Sequence, residues 1–126
     1  MPHLTVHLPE NRLAGNEPDL VTALTEAIVD VYGEWARGLV SIRLAGVPAG
    51  RFAQGGEIVD TNVSVTLGVR AGVFDRPDAA HITARLGAAL TDAITNVLGE
   101  ELRAGTMVEL VASPQERTFV GVVLAV

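Results

Sequence analysis

Two stretches decide how this chain is read: ALTEAIVDVYG (23–33) and ALTDAITNVLG (89–99). Alanine, leucine, threonine, alanine, isoleucine, valine and glycine coincide, and Glu26 in the first is answered by Asp92 in the second. Each copy is preceded by a helix-start signal, NEPD (16–19) and DRPD (75–78). Asn16 and Asp75 suit N-caps, whose side-chain oxygens accept hydrogen bonds from the free N–H groups of a first turn. Pro18 and Pro77 fall in that turn, where no intrahelical bond is lost. Further out, PHLTVHL (2–8) aligns with TNVSVTL (61–67), VSIRLA (40–45) with TMVELV (106–111), and PAGRF (48–52) loosely with PQERTF (114–119). The offset is 59 residues at the first strand and 66 at the helix end, so the second helix is predicted to be about two turns longer.

Each copy reads strand, helix, strand. Leu4, Val6 and Leu8 alternate with His3, Thr5 and His7, the period of a strand with one buried face. Leu20, Val21, Leu24, Ala27, Ile28, Val31 and Tyr32 recur at helical spacing, as do Ile82, Leu86, Leu90, Ala93, Ile94 and Val97. Gly33 and Gly99 suit left-handed positions just past the helix ends. A helix joining two strands of one sheet makes a right-handed crossover, so the strands within each copy should be parallel. The expected class is α+β, a single domain over 1–126 with internal repeats over about 2–57 and 61–124. Two β-α-β repeats would form a four-stranded mixed sheet carrying both helices on one face. Its other face requires a cover, which points to oligomerisation. The glycine-rich AGVPAGRFAQGG (45–56) and the C-terminal TFVGVVLAV (118–126) would supply short hairpins or edge strands for subunit contacts.

Composition narrows the function. All nine basic residues are arginine and the net charge is −6, which argues against non-specific binding to nucleic acid or to an anionic membrane surface. Cysteine is absent, which excludes disulfides, thiolate catalysis and Cys-ligated metals. No apolar run approaches the length of a membrane span and no signal-peptide pattern opens the chain, so a cytoplasmic protein is expected. Gly46, Gly50, Gly55 and Gly56 fit no phosphate-cradling motif, and there is no lysine to meet a phosphate. His3 and His7, four residues apart on a strand, stand about 13 Å from each other, too far to share one metal ion. No cofactor is expected.

Arginine is the remaining source of chemistry. Arg37, Arg85, Arg103 and Arg76 read as solvated surface charges. Arg12 follows the end of the first strand, and Arg70 ends the third, one residue out of repeat register with it. Two guanidinium groups at strand ends would make a carboxylate pocket, which Phe52 in GRFAQGGE (50–57) could wall. Pro2 stands where removal of the initiator methionine would expose a secondary amine at the start of a strand.

With these residues in place, the sequence resembles the tautomerase superfamily, whose β-α-β proteins use an amino-terminal proline as catalyst. MPHLTVHLPENR (1–12) is similar to the opening strand of that family and the arginine after it. VSIRLAGVPAGRFAQGGE (40–57) is similar to the 4-oxalocrotonate tautomerase segment with phenylalanine before Gly-Gly-Glu. The two-repeat length resembles the fused members, particularly the cis-3-chloroacrylic acid dehalogenase group, in which a trimer of double-length chains stands in for a hexamer. The resemblance implies the tautomerase (MIF-like) fold, a homotrimer and a small carboxylate substrate. It matches Pro2 to the catalytic proline, and Arg12, Arg70 and Phe52 to substrate-binding positions. Ser41 stands at the second-strand arginine of the tautomerases, with Arg43 two residues on along the same strand face. Val73 and Ile28 stand where the dehalogenase has an arginine and a histidine, and Thr61 fills the proline slot of the second repeat.

The implied activity is proline-dependent isomerisation of a 2-keto or enol carboxylate. Alternatives are a non-catalytic trimer of the same fold, or a decarboxylase, hydratase or dehalogenase variant. The chemistry is coherent. Abstraction of a proton beside a carbonyl needs a base titrating near neutrality, and an α-amino group starts close to that. An apolar pocket and nearby arginine charge both favour the neutral amine. The same arginines can hold a carboxylate and stabilise an enolate oxygen.

Overall fold

The computed structural model describes residues 2–124, so methionine removal and the last two residues of the C-terminal segment lie outside the described residues. Strand β1 (His3–Pro9) leads through the single turn α1 (Glu10–Leu13) into helix α2 (Glu17–Tyr32). A 3-10 segment, Glu34–Leu39, returns the chain to β2 (Ser41–Val47), followed by the hairpin β3 (Ala53–Gln54) and β4 (Glu57–Ile58). The second half repeats the plan with β5 (Val63–Arg70), α3 (Ala79–Leu98), a 3-10 segment Glu100–Gly105, and β6 (Thr106–Ser113). A last hairpin pairs β7 (Phe119–Val120) with β8 (Val123–Leu124).

The main sheet has the order β2-β1-β5-β6. Strands β1 and β2 are parallel, β5 and β6 are parallel, and the central pair β1 and β5 is antiparallel with Val6 opposite Val65. Alternation places Leu4, Val6 and Leu8 with Val63, Val65 and Leu67 on one face, where they are fully buried beneath Leu20, Leu24 and Ile28 of α2 and Leu86, Leu90 and Ile94 of α3. The fold is the expected α+β sheet with both helices on one face. The helix-free face carries His3, Thr5 and His7 of β1 and the exposed Met107, Glu109 and Val111 of β6.

Four details depart from the sequence reading. Helix α3 has 20 residues against 16 in α2, about one turn more rather than two, because part of the added length forms the 3-10 segment Ala71–Asp75. Consequently Asp78, not Asp75, occupies the N-cap of α3, and Pro77 precedes the helix. Asn16 does precede α2, but its side-chain Nδ2 donates backward to the Arg12 carbonyl at 2.9 Å, so it caps no N–H group. Gly33 (φ 112°, ψ 167°) and Gly99 (φ 127°, ψ 145°) have positive φ but not the αL geometry. They lie at or near an extended region that is essentially restricted to glycine, which swings the chain straight into the following 3-10 turn.

Arg37 and Arg103 are not simply solvated. Arg37 pairs with Glu34 at 2.5 Å and with Glu26; Arg103 pairs with Glu100 at 2.5 Å and Asp92 at 2.9 Å. Each arginine therefore ties its 3-10 segment back to the middle of the helix before it, at the same place in both halves. The guanidinium groups hold Glu26, Glu34 and Glu100 below the usual carboxylate range.

Candidate active site

Pro2 is buried immediately before β1, and its carbonyl accepts a hydrogen bond from the Ser41 amide at 3.1 Å. That bond extends the pairing of β1 with β2 and fixes where the proline ring lies. Because β5 runs antiparallel to β1, its C-terminal end returns beside Pro2, with Gly68 opposite His3. The match is close: a Cβ on Gly68 would lie 2.1 Å from the His3 ring. Strand β5 thus delivers Val69 and Arg70, the end of α2 delivers Tyr32, and the turn after it delivers Trp35. Pro2, Tyr32, Trp35, Val69, Arg70 and Val73 enclose a cavity of about 40 Å³. Tyr32, Trp35, Arg70 and Val73 also line an adjoining cavity of about 480 Å³ that extends to Arg76 and Glu116.

The lining combines aromatic rings with guanidinium groups. Tyr32 and Trp35 pack with ring centroids 5.9 Å apart at 52°, and the Trp35 Nε1–H donates to the Tyr32 carbonyl at 2.8 Å. Burial pushes the Tyr32 hydroxyl pKa up, opposed by the charge of Arg76, so the hydroxyl stays protonated. Arg76 grips Asp78 with two hydrogen bonds, at 2.9 and 3.1 Å, which holds that carboxyl below its usual range. A planar acid could rest against the rings with its carboxylate toward Arg70.

Of the residues expected at the site, Pro2 and Arg70 come together. Arg12 does not join them. Carboxyl ends of antiparallel neighbours point opposite ways, so Arg12 stands roughly 20 Å from Pro2, at the far end of β1. There it donates to the Leu98 carbonyl at 3.3 Å and pairs with Glu101, whose carboxyl it holds low. The carboxylate pocket built from Arg12 and Arg70 together is therefore absent from a single chain. Phe52 lines a separate cavity of about 310 Å³ with Asn62, Ser64 and Met107, again at the far end of the sheet. Arg43 is exposed on the helix-free face, opposite Thr5.

Tyr32, Trp35 and Arg76 are the residues that sequence reasoning missed. Tyr32 reads as one more apolar helix position and Arg76 as a surface charge. One signal was available in the repeat: at the 66-residue offset, Tyr32 corresponds to Leu98 and Trp35 to Glu101. The two halves thus differ in chemistry where their helices end.

Comparison with known proteins agrees with the fold. No protein-family model matches the sequence, and no curated protein matches it significantly. Solved structures do match along its length. A wild-type fused 4-OT designated F6, an asymmetric trimer, is 27% identical, with 97% of this chain and 94% of that chain covered and a TM-score of 0.82. The fused 4-OT designated Q0, a symmetric trimer, is 24% identical over 98% of this chain and 94% of its own, TM-score 0.82. Pt0534 inactivated by 2-oxo-3-pentynoate is 20% identical over 97% and 94%, TM-score 0.82. Coverage this complete means that both β-α-β halves and their relative placement are shared, while the low identity leaves the chemistry to be argued from the site.

Proposed function

We propose that this chain, which shares the fold of the fused 4-OT proteins of the tautomerase superfamily, is a proline-dependent tautomerase of small 2-keto or enol carboxylates. The observation that carries the reading is the burial of Pro2 in one cavity with Arg70, Tyr32 and Trp35. Once methionine is removed, Pro2 is a secondary amine in apolar surroundings beside a cation, and both features favour its neutral, basic form. The amine takes a proton from the enol hydroxyl or from the carbon beside the carbonyl, and returns one at the alternate position. Arg70 holds the carboxylate and offsets the negative charge that develops on the enolate. Hydrolytic dehalogenation is less well supported. Ile28 is fully buried in the core and Val73 presents only an alkyl group to the cavity, so neither activates water.

We also infer a homotrimer. The named structural neighbours F6 and Q0 are trimers, and among the described residues this sheet leaves one face uncovered and ends in two edge strands, β2 and β6. Arg12, Phe52 and Arg43 lie away from the Pro2 cavity of their own chain, so a neighbouring protomer is their route to a ligand held there. The test of the catalytic reading is to compare methionine-free protein with protein carrying a non-removable residue before Pro2. The first should ketonise phenylenolpyruvate with kcat/KM rising through the amine pKa; the second should not. Equal turnover by both forms would reduce Pro2 to a strand-starting residue.

A further inference from the structure

The Tyr32 hydroxyl is buried and has no hydrogen-bond partner among the described residues. A buried, unpaired hydroxyl destabilises a fold, so its presence calls for a reason outside packing. Packing supplies none: Leu98 occupies the corresponding position at the end of α3 with no hydroxyl. The ring is also held in place, since it packs on Trp35, whose indole is anchored to the Tyr32 carbonyl. Tyr32 lines both the small cavity around Pro2 and the larger one beside it.

We propose that the Tyr32 hydroxyl donates a hydrogen bond to the 2-oxygen, keto or enolate, of a ligand whose carboxylate lies toward Arg70, and that the Tyr32 and Trp35 rings select an aryl or otherwise planar substituent. This rests on the tautomerase reading and deepens it by naming the ligand class. Carbonyl and carboxylate are adjacent in a 2-keto acid, and Tyr32 and Arg70 are two walls of the same cavity. A protonated phenol donates to the oxygen on which charge accumulates as the proton leaves carbon. A ligand lacking that oxygen offers the hydroxyl no acceptor at that position.

The test separates Tyr32 from Pro2. Binding of phenylpyruvate and of 3-phenylpropanoate, which lacks the 2-oxygen, is measured on wild type and Tyr32→Phe, both carrying a blocking residue before Pro2 to suppress turnover. Tyr32→Phe should weaken phenylpyruvate about tenfold and leave 3-phenylpropanoate unchanged. Its Tm should be equal to or above that of wild type, since no hydrogen bond among the described residues is lost. Equal weakening of both ligands, no weakening of either, a lowered Tm, or failure of wild type to bind phenylpyruvate would each overturn the proposal. Selective weakening in a protein whose methionine-free form shows no ketonisation would retain Tyr32 as the carbonyl contact while rejecting proton transfer by Pro2.

Discussion

Arg70 closes β5 and Arg12 lies in the helical turn after β1, and one-dimensional reading gives them the same job. Strand direction separates them. Arg70 faces the cavity that holds Pro2, while Arg12 is engaged by Glu101 and the Leu98 carbonyl at the opposite end of the sheet. In methionine-free protein, Arg70→Ala should therefore lower kcat/KM toward phenylenolpyruvate by about 30- to 1000-fold, or 2–4 kcal/mol. Arg85→Ala should leave it unchanged, because Arg85 donates to the Asp30 carbonyl at 3.2 Å, on the helix layer. Equal losses at both positions would show that the cavity has been misassigned. Pro2 and Arg70 were legible in the sequence because each marks an end of a strand. Their companions were not: Tyr32 obeys the helical period of the core, and only its polar tip, invisible to periodicity, distinguishes it from a leucine.

The helices join the sheet through corners that are built alike in the two halves. Each helix ends on a glycine with positive φ, turns through a 3-10 segment, and is tied back by an arginine. Gly99→Ala should cost about 1–3 kcal/mol by denaturant titration, since its dihedrals lie where a side chain is strained. The separate ion pair of Arg12 with Glu101 carries a pH signature. Glu101 is held below its usual pKa by Arg12, so its stabilisation is present above the ordinary carboxylate range and is lost as pH falls through the lowered folded value. Wild type should thus exceed Glu101→Gln in stability at neutral pH, and the difference should shrink on acidification through that window. A difference constant with pH would mean that the carboxylate charge is irrelevant there. The strands, their pairing within each half and the helix faces could be read from period and repeat. The start of α3 could not, because Pro77 and the competing acids Asp75 and Asp78 allow two registers, and the ion pair of Arg76 with Asp78 accompanies the later one.

Assembly depends on what the two edge strands offer one another. Register places Arg43, Thr5, Thr66 and Glu109 in one row across the sheet, with the arginine on edge strand β2 and the glutamate on edge strand β6. These two are repeat equivalents at the 66-residue offset, yet they carry opposite charge. Two copies meeting β2 against β2 would bring arginine toward arginine, and β6 against β6 glutamate toward glutamate. A head-to-tail contact of β2 on β6 pairs the charges instead, and a closed ring of three such contacts leaves no edge exposed. Each exposed pair contributes little by itself, but reversal of one charge places like charges at all three interfaces. Arg43→Glu and Glu109→Arg should each lower the sedimentation mass at micromolar concentration below that of the trimer, and the combined Arg43→Glu, Glu109→Arg protein should recover it. Both single changes should become milder as salt is raised, since screening weakens repulsion between exposed charges. A wild-type mass near the 13.2 kDa of one chain would reject the ring outright. Single defects that simply add in the double variant would show that the edges meet in some other register.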